Sequence, residues 1–142
     1  MPLPADLLSL AAARHVAGLA TLKRDGRPQL SQVSYAWDPG ASTVRVSTVA
    51  GSAKVANLRR DPRASLFVTS ENGWSYAVLE GSAQLSPVAR ARDDATVEAL
   101  VTLFRDVQGE HPDWEDYRRA MVADRRLVVT LHVERAYGLS QG

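Results

Sequence analysis

The chain has 142 residues, of which 45% are hydrophobic and 23% charged, a balance typical of one globular domain over residues 1–142. It contains no cysteine, which excludes disulfides, thiolate metal sites and cysteine nucleophiles and fits a reducing compartment. The formal net charge of +1 gives no general attraction to nucleic acid or anionic lipid. No apolar run approaches the ~20 residues of a membrane span, and the first residues lack a signal-peptide pattern. We therefore expect a cytoplasmic protein that binds neither membranes nor nucleic acid.

The first half of the chain is predicted to form a short helix followed by three strands. Apolar residues recur at helical spacing over 7–11, and Asp6 is the expected N-cap. Alternation with period two then predicts three consecutive strands, over 16–23, 29–37 and 43–49. The dipeptide Asp25-Gly26 suits a tight turn with positive φ between the first two strands. Sequential hairpins of this kind predict an antiparallel sheet.

The second half alternates helices and strands. Helices are predicted over 51–60, from Asp93-Asp94 to Gly109, and over 112–123. Strands are predicted over 64–69, 74–85 and 127–133, with Gly81 as a bulge in the second of these. Six strands with helices outside them indicate a small antiparallel β-barrel of the α+β class.

Most familiar catalytic patterns are missing from the chain. The three histidines lie far apart and form no HxxH or HExxH pair, so no metal site is expected. No GxSxG, P-loop or GxGxxG motif occurs, which removes the common serine hydrolase, NTPase and dinucleotide-binding functions. The site must therefore be recognised by other features.

One segment has the composition of an anion site. Ser47 and Thr48 end a strand, and Ser52 and Lys54 open the helix that follows. A lysine in the first turn of a helix is disfavoured by the macrodipole by about 0.3–1 kcal/mol, and a bound phosphate would remove that conflict. Arginines in the last turn, such as Arg59, are favourable for structural reasons alone.

The same basic segment and the aromatic residues leave alternatives open. Residues 54–63 carry four cations and one acid, which also suits nucleic acid, but no aromatic residues are interleaved with them. Four aromatic residues fall in predicted strands: Tyr35, Trp37, Trp74 and Tyr76. They can form core, a dimer interface, or a wall beside a flat ring system.

An ordered series of short segments resembles one known family. The series comprises Ala20-Thr21-Leu22 with Asp25-Gly26-Arg27-Pro28-Gln29, Val44-Arg45-Val46-Ser47-Thr48, Ser52-Ala53-Lys54, 57–64, Gly73-Trp74, 114–126 and Tyr137-Gly138. It is similar to the pyridoxamine 5'-phosphate oxidase-like flavoproteins, and within them to the coenzyme F420-dependent reductases of actinobacteria. The resemblance covers nearly the whole chain.

The resemblance implies a split β-barrel homodimer with two cofactor sites, each built from both chains. By matching positions, Lys54 with Ser47 and Ser52 would hold the cofactor phosphate. Around them, Asn57 would lie close by, Gln29, Ser31, Gln32 and Val33 would line the deazaflavin ring, and Trp74 and Tyr76 would come from the partner chain. Family members often carry a further arginine beside the lysine, where this chain has Ser52 and Ala53. Two consequences are open: a lower phosphate affinity, or replacement of the charge by another cation such as Arg59.

The implied activity is hydride transfer from reduced F420 to a small molecule with an electron-poor double bond. Such a reaction needs no strong acid or base in the protein, and Tyr35 or solvent would supply the proton. Two alternatives remain open at this point. One is an FMN-dependent enzyme, including pyridoxamine phosphate oxidation, and the other is a non-catalytic protein that binds a phosphate-bearing or tetrapyrrole ligand.

Overall fold

A computed structural model describes residues 2–141, with six strands and four helices. Met1 and Gly142, the two ends of the predicted domain 1–142, lie outside the described residues, and the single-domain assignment stays a prediction. The elements in chain order are α1 (Ala5–Ala13), β1 (Val16–Leu22), β2 (Pro28–Asp38), β3 (Thr43–Val49), α2 (Ala53–Arg60), β4 (Arg63–Thr69), β5 (Tyr76–Leu85), α3 (Ala95–Gln108), α4 (Trp114–Ala123) and β6 (Arg126–Leu139).

The six strands close into an antiparallel barrel in the order β1-β2-β3-β6-β5-β4. The predicted six-stranded antiparallel barrel is confirmed. Its interior is filled by inward-facing residues of every strand, among them Leu19, Leu66 and Leu131, each at most 2% exposed. Because successive side chains of a strand point to opposite faces, every second residue lies on the outside of the barrel, where helices and ligands can pack.

Two glycines allow the barrel to close. Gly26 has a φ of 90° in the β1–β2 turn, a conformation that residues with a Cβ rarely adopt. At Gly81 the register of β5 against β6 shifts, which confirms the predicted bulge. A side chain at Gly81 would collide with the backbone carbonyl of His132, so only glycine fits at this close approach.

The helices have two different roles. α1 packs on β2, β4, β5 and β6, where Ala11 is buried in the barrel core, and α2 packs on β1 and β5. α3 and α4 instead cover the outside of the barrel, in a second core that includes Leu100, Tyr117 and Val128. The Asp94 side chain caps α3 by accepting a hydrogen bond from the backbone N–H of Val97.

Among the element boundaries that differ from the sequence prediction, three have a clear physical reason. α1 begins at Ala5 with Pro4 as its N-cap, so Asp6 lies inside the first turn, where its charge favours the helix dipole. β5 begins at Tyr76, because the preceding residues form the β4–β5 turn. β6 continues to Leu139 instead of ending at residue 133, and its last part pairs with β5 while its own residues are mostly exposed. Alternating burial is lost there, which is why the pattern stopped early.

Part of the outer barrel surface is left uncovered and apolar. One row of directly paired residues crosses five strands: Gln32, Gly18, Phe67, Val78 and Tyr137. With Ala20 and Leu30 in the next row, these residues line a cavity of about 520 Å³. We call Gly18, Ala20, Leu30, Phe67, Val78 and Tyr137 the apolar barrel face; Leu30 is 75% exposed and Phe67 48%. Between residues 2 and 141, no helix is long and apolar enough to cross a membrane.

Candidate functional site

A cavity of about 490 Å³ lies between the outer surface of the barrel and the α3–α4 pair. One side is formed by β2, the end of β3 and the start of α2, and the other by α3 and α4. Arg126, the first residue of β6, also lines it. The residues of the lining therefore come from six different elements or their ends, and the fold brings them together.

The polar end of the cavity is built where β3 passes into α2. The N–H of Ser52 donates to the Val49 carbonyl at 3.1 Å, which turns the chain sharply. The Oγ of Ser52 then accepts a hydrogen bond from the N–H of Val55 at 3.4 Å, as the N-cap of α2, and from the Thr48 hydroxyl at 3.2 Å. Lys54 lies in the first turn, next to N–H groups that have no partner within a helix. The segment therefore presents hydroxyls, amide groups and an ammonium at one point.

A second cation reaches this end from β6. Register pairing sets Arg126 opposite Val49, and the backbone of the preceding turn is held by a hydrogen bond from the N–H of Ala50 to the Arg125 carbonyl at 2.9 Å. The Nη1 of Arg126 donates to Ser47 Oγ at 3.3 Å. None of the described residues that line the cavity is acidic, whereas Lys54 and Arg126 are both cationic. The cavity therefore favours an anionic ligand group.

The opposite wall of the cavity is apolar and rigidly held. It is formed by side chains of α3 and α4: Leu103, Phe104, Val107, Tyr117 and Met121. The Tyr117 hydroxyl donates to the Leu100 carbonyl at 2.9 Å, and burial raises the pKa of this phenol. Arg45 of β3 bonds Asp106 of α3 at 2.6 Å, which fixes the helix against the barrel. This wall is suited to covering a flat ring and excluding water from it.

Five of the predicted cofactor residues meet at this cavity: Gln32, Val33, Ser47, Ser52 and Lys54. They approach from β2, β3 and α2, elements that are separate in the sequence. The structure thus brings together the residues predicted to bind the phosphate and part of the strand predicted to line the ring.

Three other predicted residues lie away from the cavity. The Asn57 amide, 6% exposed, donates to Thr21 at 3.1 Å and to the Gln29 side chain at 2.7 Å. These contacts join α2 to β1 and β2, so Asn57 and Gln29 have a structural function in this chain. Ser31 lines the cavity on the apolar barrel face instead.

Tyr35 and Arg59 are corrected by the structure. Tyr35 is fully buried inside the barrel, and its hydroxyl donates to the Ala11 carbonyl at 2.6 Å. Burial raises the pKa of Tyr35 far above that of a free phenol, and the residue does not line the cavity. Arg59 is exposed in the last turn of α2 and does not line the cavity, so it does not replace the missing arginine.

Trp74 and Tyr76 lie outside the cavity of their own chain. Trp74 is 68% exposed in the β4–β5 turn, and the Tyr76 ring packs at 5.7 Å from that of Phe67 in the apolar barrel face. This placement agrees with a contribution to another chain, and nothing in one chain tests it.

Sequence reasoning missed Arg126 and the α3–α4 wall. Arg126 precedes the alternating pattern of the last strand, and only the pairing of β3 with β6 brings it beside Ser47. Phe104 had been recognised as part of an amphipathic stripe, which is also the signal of a helix on a core. No pattern in the sequence separates the two uses. Within residues 2–141, no three His, Asp or Glu side chains cluster as metal ligands.

Fold and site together define a small antiparallel barrel protein with a cationic cavity at its surface. Residues 3–140 match the pyridoxamine 5'-phosphate oxidase family, and the chain belongs to that family.

Three similar proteins give the family context. The chain is 30% identical to an F420H(2)-dependent biliverdin reductase of Mycobacterium tuberculosis over 133 residues, 94% of this chain and 85% of that protein. A solved structure of a conserved hypothetical protein of M. tuberculosis superimposes with a TM-score of 0.74 at 24% identity, covering 100% of this chain and 92% of that one. A solved structure described as an F420 reductase gives 0.71 at 21% identity, covering 91% and 94%. The two structures show the same fold.

Proposed function

We propose that this chain is an F420-dependent reductase that transfers a hydride from the reduced deazaflavin to an unsaturated small molecule. The observation that carries the proposal is the divided cavity, cationic where Lys54 begins α2 and apolar where α3 covers it. The 30% identical relative, described as an F420H(2)-dependent biliverdin reductase, supports the same cofactor. A linear tetrapyrrole is therefore the first acceptor to test.

The residues present fit a phosphate-bearing deazaflavin. Lys54 and the hydroxyls of Ser47, Thr48 and Ser52 form one end, with two cations and no carboxylate among the described lining residues. Gln32 and the neighbouring backbone of β2 supply polar groups for a ring edge, since a strand carries N–H and C=O groups along its length. Both requirements of the cofactor, an anion site and a polar edge, are met within one cavity.

F420, when bound, supplies the hydride. The protein's task is to orient the ring and to keep water away from the face that reacts. Phe104 and Tyr117, whose ring centroids lie 5.1 Å apart, form a stiff cover on one side. The hydrogen bond from the Tyr117 hydroxyl to the Leu100 carbonyl joins α4 to α3 beneath this cover.

The proton that follows the hydride is assigned to water. The described lining contains no Asp, Glu or His, and the one phenol in it, Tyr117, is engaged with a backbone carbonyl. Tyr35 lies inside the barrel. We therefore expect no single side chain whose removal abolishes the reaction.

The proposal includes a homodimer formed through the apolar barrel face. Gln32 lines both this face and the cofactor cavity, so a second copy seated on the face would also border the cavity. Trp74 and Tyr76 lie at the same side of the barrel through the contact of Tyr76 with Phe67, and in the dimer they would complete the partner's site. An exposed patch of this kind is typical of a protein interface.

Turnover with defined acceptors tests the proposal. The protein is mixed with reduced F420 and a linear tetrapyrrole, a quinone or an enone, and the return of deazaflavin fluorescence is followed. Enzyme-dependent oxidation of the cofactor by at least one acceptor is expected. Saturable binding of F420 with no turnover by any acceptor would favour the non-catalytic binding protein, and a preparation that carries FMN would favour the FMN-dependent alternative.

A further inference from the structure

Arg126 is held at the cavity with its charge only partly matched by protein groups. Its Nη1 makes one long hydrogen bond, 3.3 Å, to Ser47 Oγ, and the nearest carboxylate, that of Asp124, lies 4.0 Å from its Nε. The Nε is buried and has no hydrogen-bond partner among residues 2–141. A buried donor without an acceptor destabilises the folded state, so its retention needs a reason.

Other arginines of the chain show what a structural role looks like here. Arg63 bonds Asp61 at 2.8 Å through its guanidinium, and Arg45, whose Nε is also buried without a partner, bonds Asp106 at 2.6 Å through Nη2. Arg126 has no carboxylate at such a distance. Of these three arginines, it alone lines the cavity that holds Lys54. Its fork of N–H donors matches the oxygens of a phosphate, which can satisfy several of them at once.

We propose that Arg126 is the second cation of the cofactor phosphate site, an inference that rests on the proposed F420-dependent function. It acts from the opposite strand, β6, in place of the arginine that would otherwise stand beside Lys54. Arg59, the cation expected from the sequence, lies in the last turn of an eight-residue helix, roughly 7–8 Å along its axis from Lys54. The α4–β6 turn carries Arg126 to the site because Arg126 pairs with Val49, one residue beyond Thr48.

Binding of three ligands that differ stepwise tests this inference. The ligands are 8-hydroxy-5-deazariboflavin, its 5'-phosphate and intact F420, each titrated into the full chain by fluorescence. The variants are Arg126→Gln, Arg126→Lys and, as a matched control, Arg59→Gln. Thermal unfolding without ligand reports folding, and Arg126→Lys keeps the test decisive where Arg126→Gln folds poorly.

Arg126→Gln is expected to weaken the 5'-phosphate and F420 by about 10- to 100-fold, the size of a charge-assisted hydrogen bond. The same variant should bind the unphosphorylated deazaflavin within about 2-fold of the native protein, because no phosphate contact is lost. The affinity of Arg126→Lys for the phosphorylated ligands should lie between those of Arg126→Gln and the native protein, since lysine keeps the charge and loses the planar fork. Arg59→Gln should match the native protein with all three ligands.

Two results would overturn the inference alone. One is native-like binding of the 5'-phosphate by Arg126→Gln. The other is an equal loss of affinity for all three ligands, which would place Arg126 at the ring that they share. A native protein that binds none of the three ligands would instead overturn the proposed function, and the inference with it.

Discussion

The substitution Phe67→Asp tests whether the apolar barrel face joins two copies of the chain. Phe67 lies at the centre of the paired row that crosses five strands, between Gly18 and Val78. Its ring is 48% exposed and contacts only the tilted ring of Tyr76 among the aromatic residues described. A carboxylate here remains in water in a single chain and is forced into an apolar interface in the proposed dimer.

The expected effect on the dimer is large because a two-fold interface contains the substitution twice. A phenylalanine side chain has roughly 200 Å² of surface, and about half of that of Phe67 is exposed in one chain. Covering it in both copies removes about 200 Å² from water, which contributes at most ~5 kcal/mol at ~25 cal/mol per Å². Loss of this contribution raises the dimer dissociation constant by up to about 10³-fold, since ~1.4 kcal/mol is tenfold.

Light scattering coupled to gel filtration measures this effect. The native protein is expected at about twice the chain mass of 15.4 kDa, and Phe67→Asp at the mass of one chain. F420 affinity should fall with dissociation, because Trp74 and Tyr76 of the partner are lost from each site. Gln84→Asp, at an exposed position in the other half of β5, is the matched control and should stay dimeric. A native protein that is monomeric, or a dimeric Phe67→Asp, would refute the assigned interface.

Three further substitutions have separate expected outcomes. Lys54→Ala should lower F420 affinity by about 10- to 100-fold, or ~1.5–3 kcal/mol, without destabilising the fold, because it also removes a cation from a helix N-terminus; calorimetric titration and a urea melt measure the two effects, and unchanged affinity would contradict the phosphate assignment. Tyr35→Phe should cost about 1 kcal/mol of stability through the lost bond to α1 and leave the rate of hydride transfer unchanged; a slowed single turnover with native F420 affinity would restore Tyr35 as a proton donor. Asp94→Ala should cost about 1 kcal/mol at neutral pH through loss of the α3 cap. Hydrogen bonds from backbone N–H groups, that of Arg90 first, lower the pKa of the Asp94 carboxyl in the fold, so its stabilisation is present above pH ~4 and is lost as the pH falls below that value. In urea melts, the difference in unfolding free energy between the native protein and Asp94→Ala should therefore be smaller at pH 3 than at pH 7. An equal difference at both pH values would contradict this assignment.

The barrel was predictable because its strands follow one another as hairpins with alternating burial. In β2, Val33 and Tyr35 point into the core and Gln32 and Ser34 point out, as their alternation indicates. The pattern failed at the end of the last strand. The last residues of β6 pair with β5 but are themselves mostly exposed, so alternation carries no information there.

The site was predictable only in the parts that one short segment contains. Ser47, Ser52 and Lys54 lie within eight positions of each other, and their residue types alone indicate an anion site. Arg126 is separated from them by more than 70 residues and reaches them through strand pairing, which local sequence does not reveal. The contacts of Asn57 were not predictable either, since its amide donates to Thr21 and Gln29, which lie 36 and 28 residues away in the sequence.

Titration of the purified protein with F420, run beside FMN, tests the central claim most directly. The account predicts saturable F420 binding at one site per chain, with FMN much weaker, and F420 binding about 10- to 100-fold weaker in Lys54→Ala. Tight FMN binding with no measurable F420 binding would contradict the assignment of the cofactor. The cationic cavity would then be assigned to the phosphate of FMN.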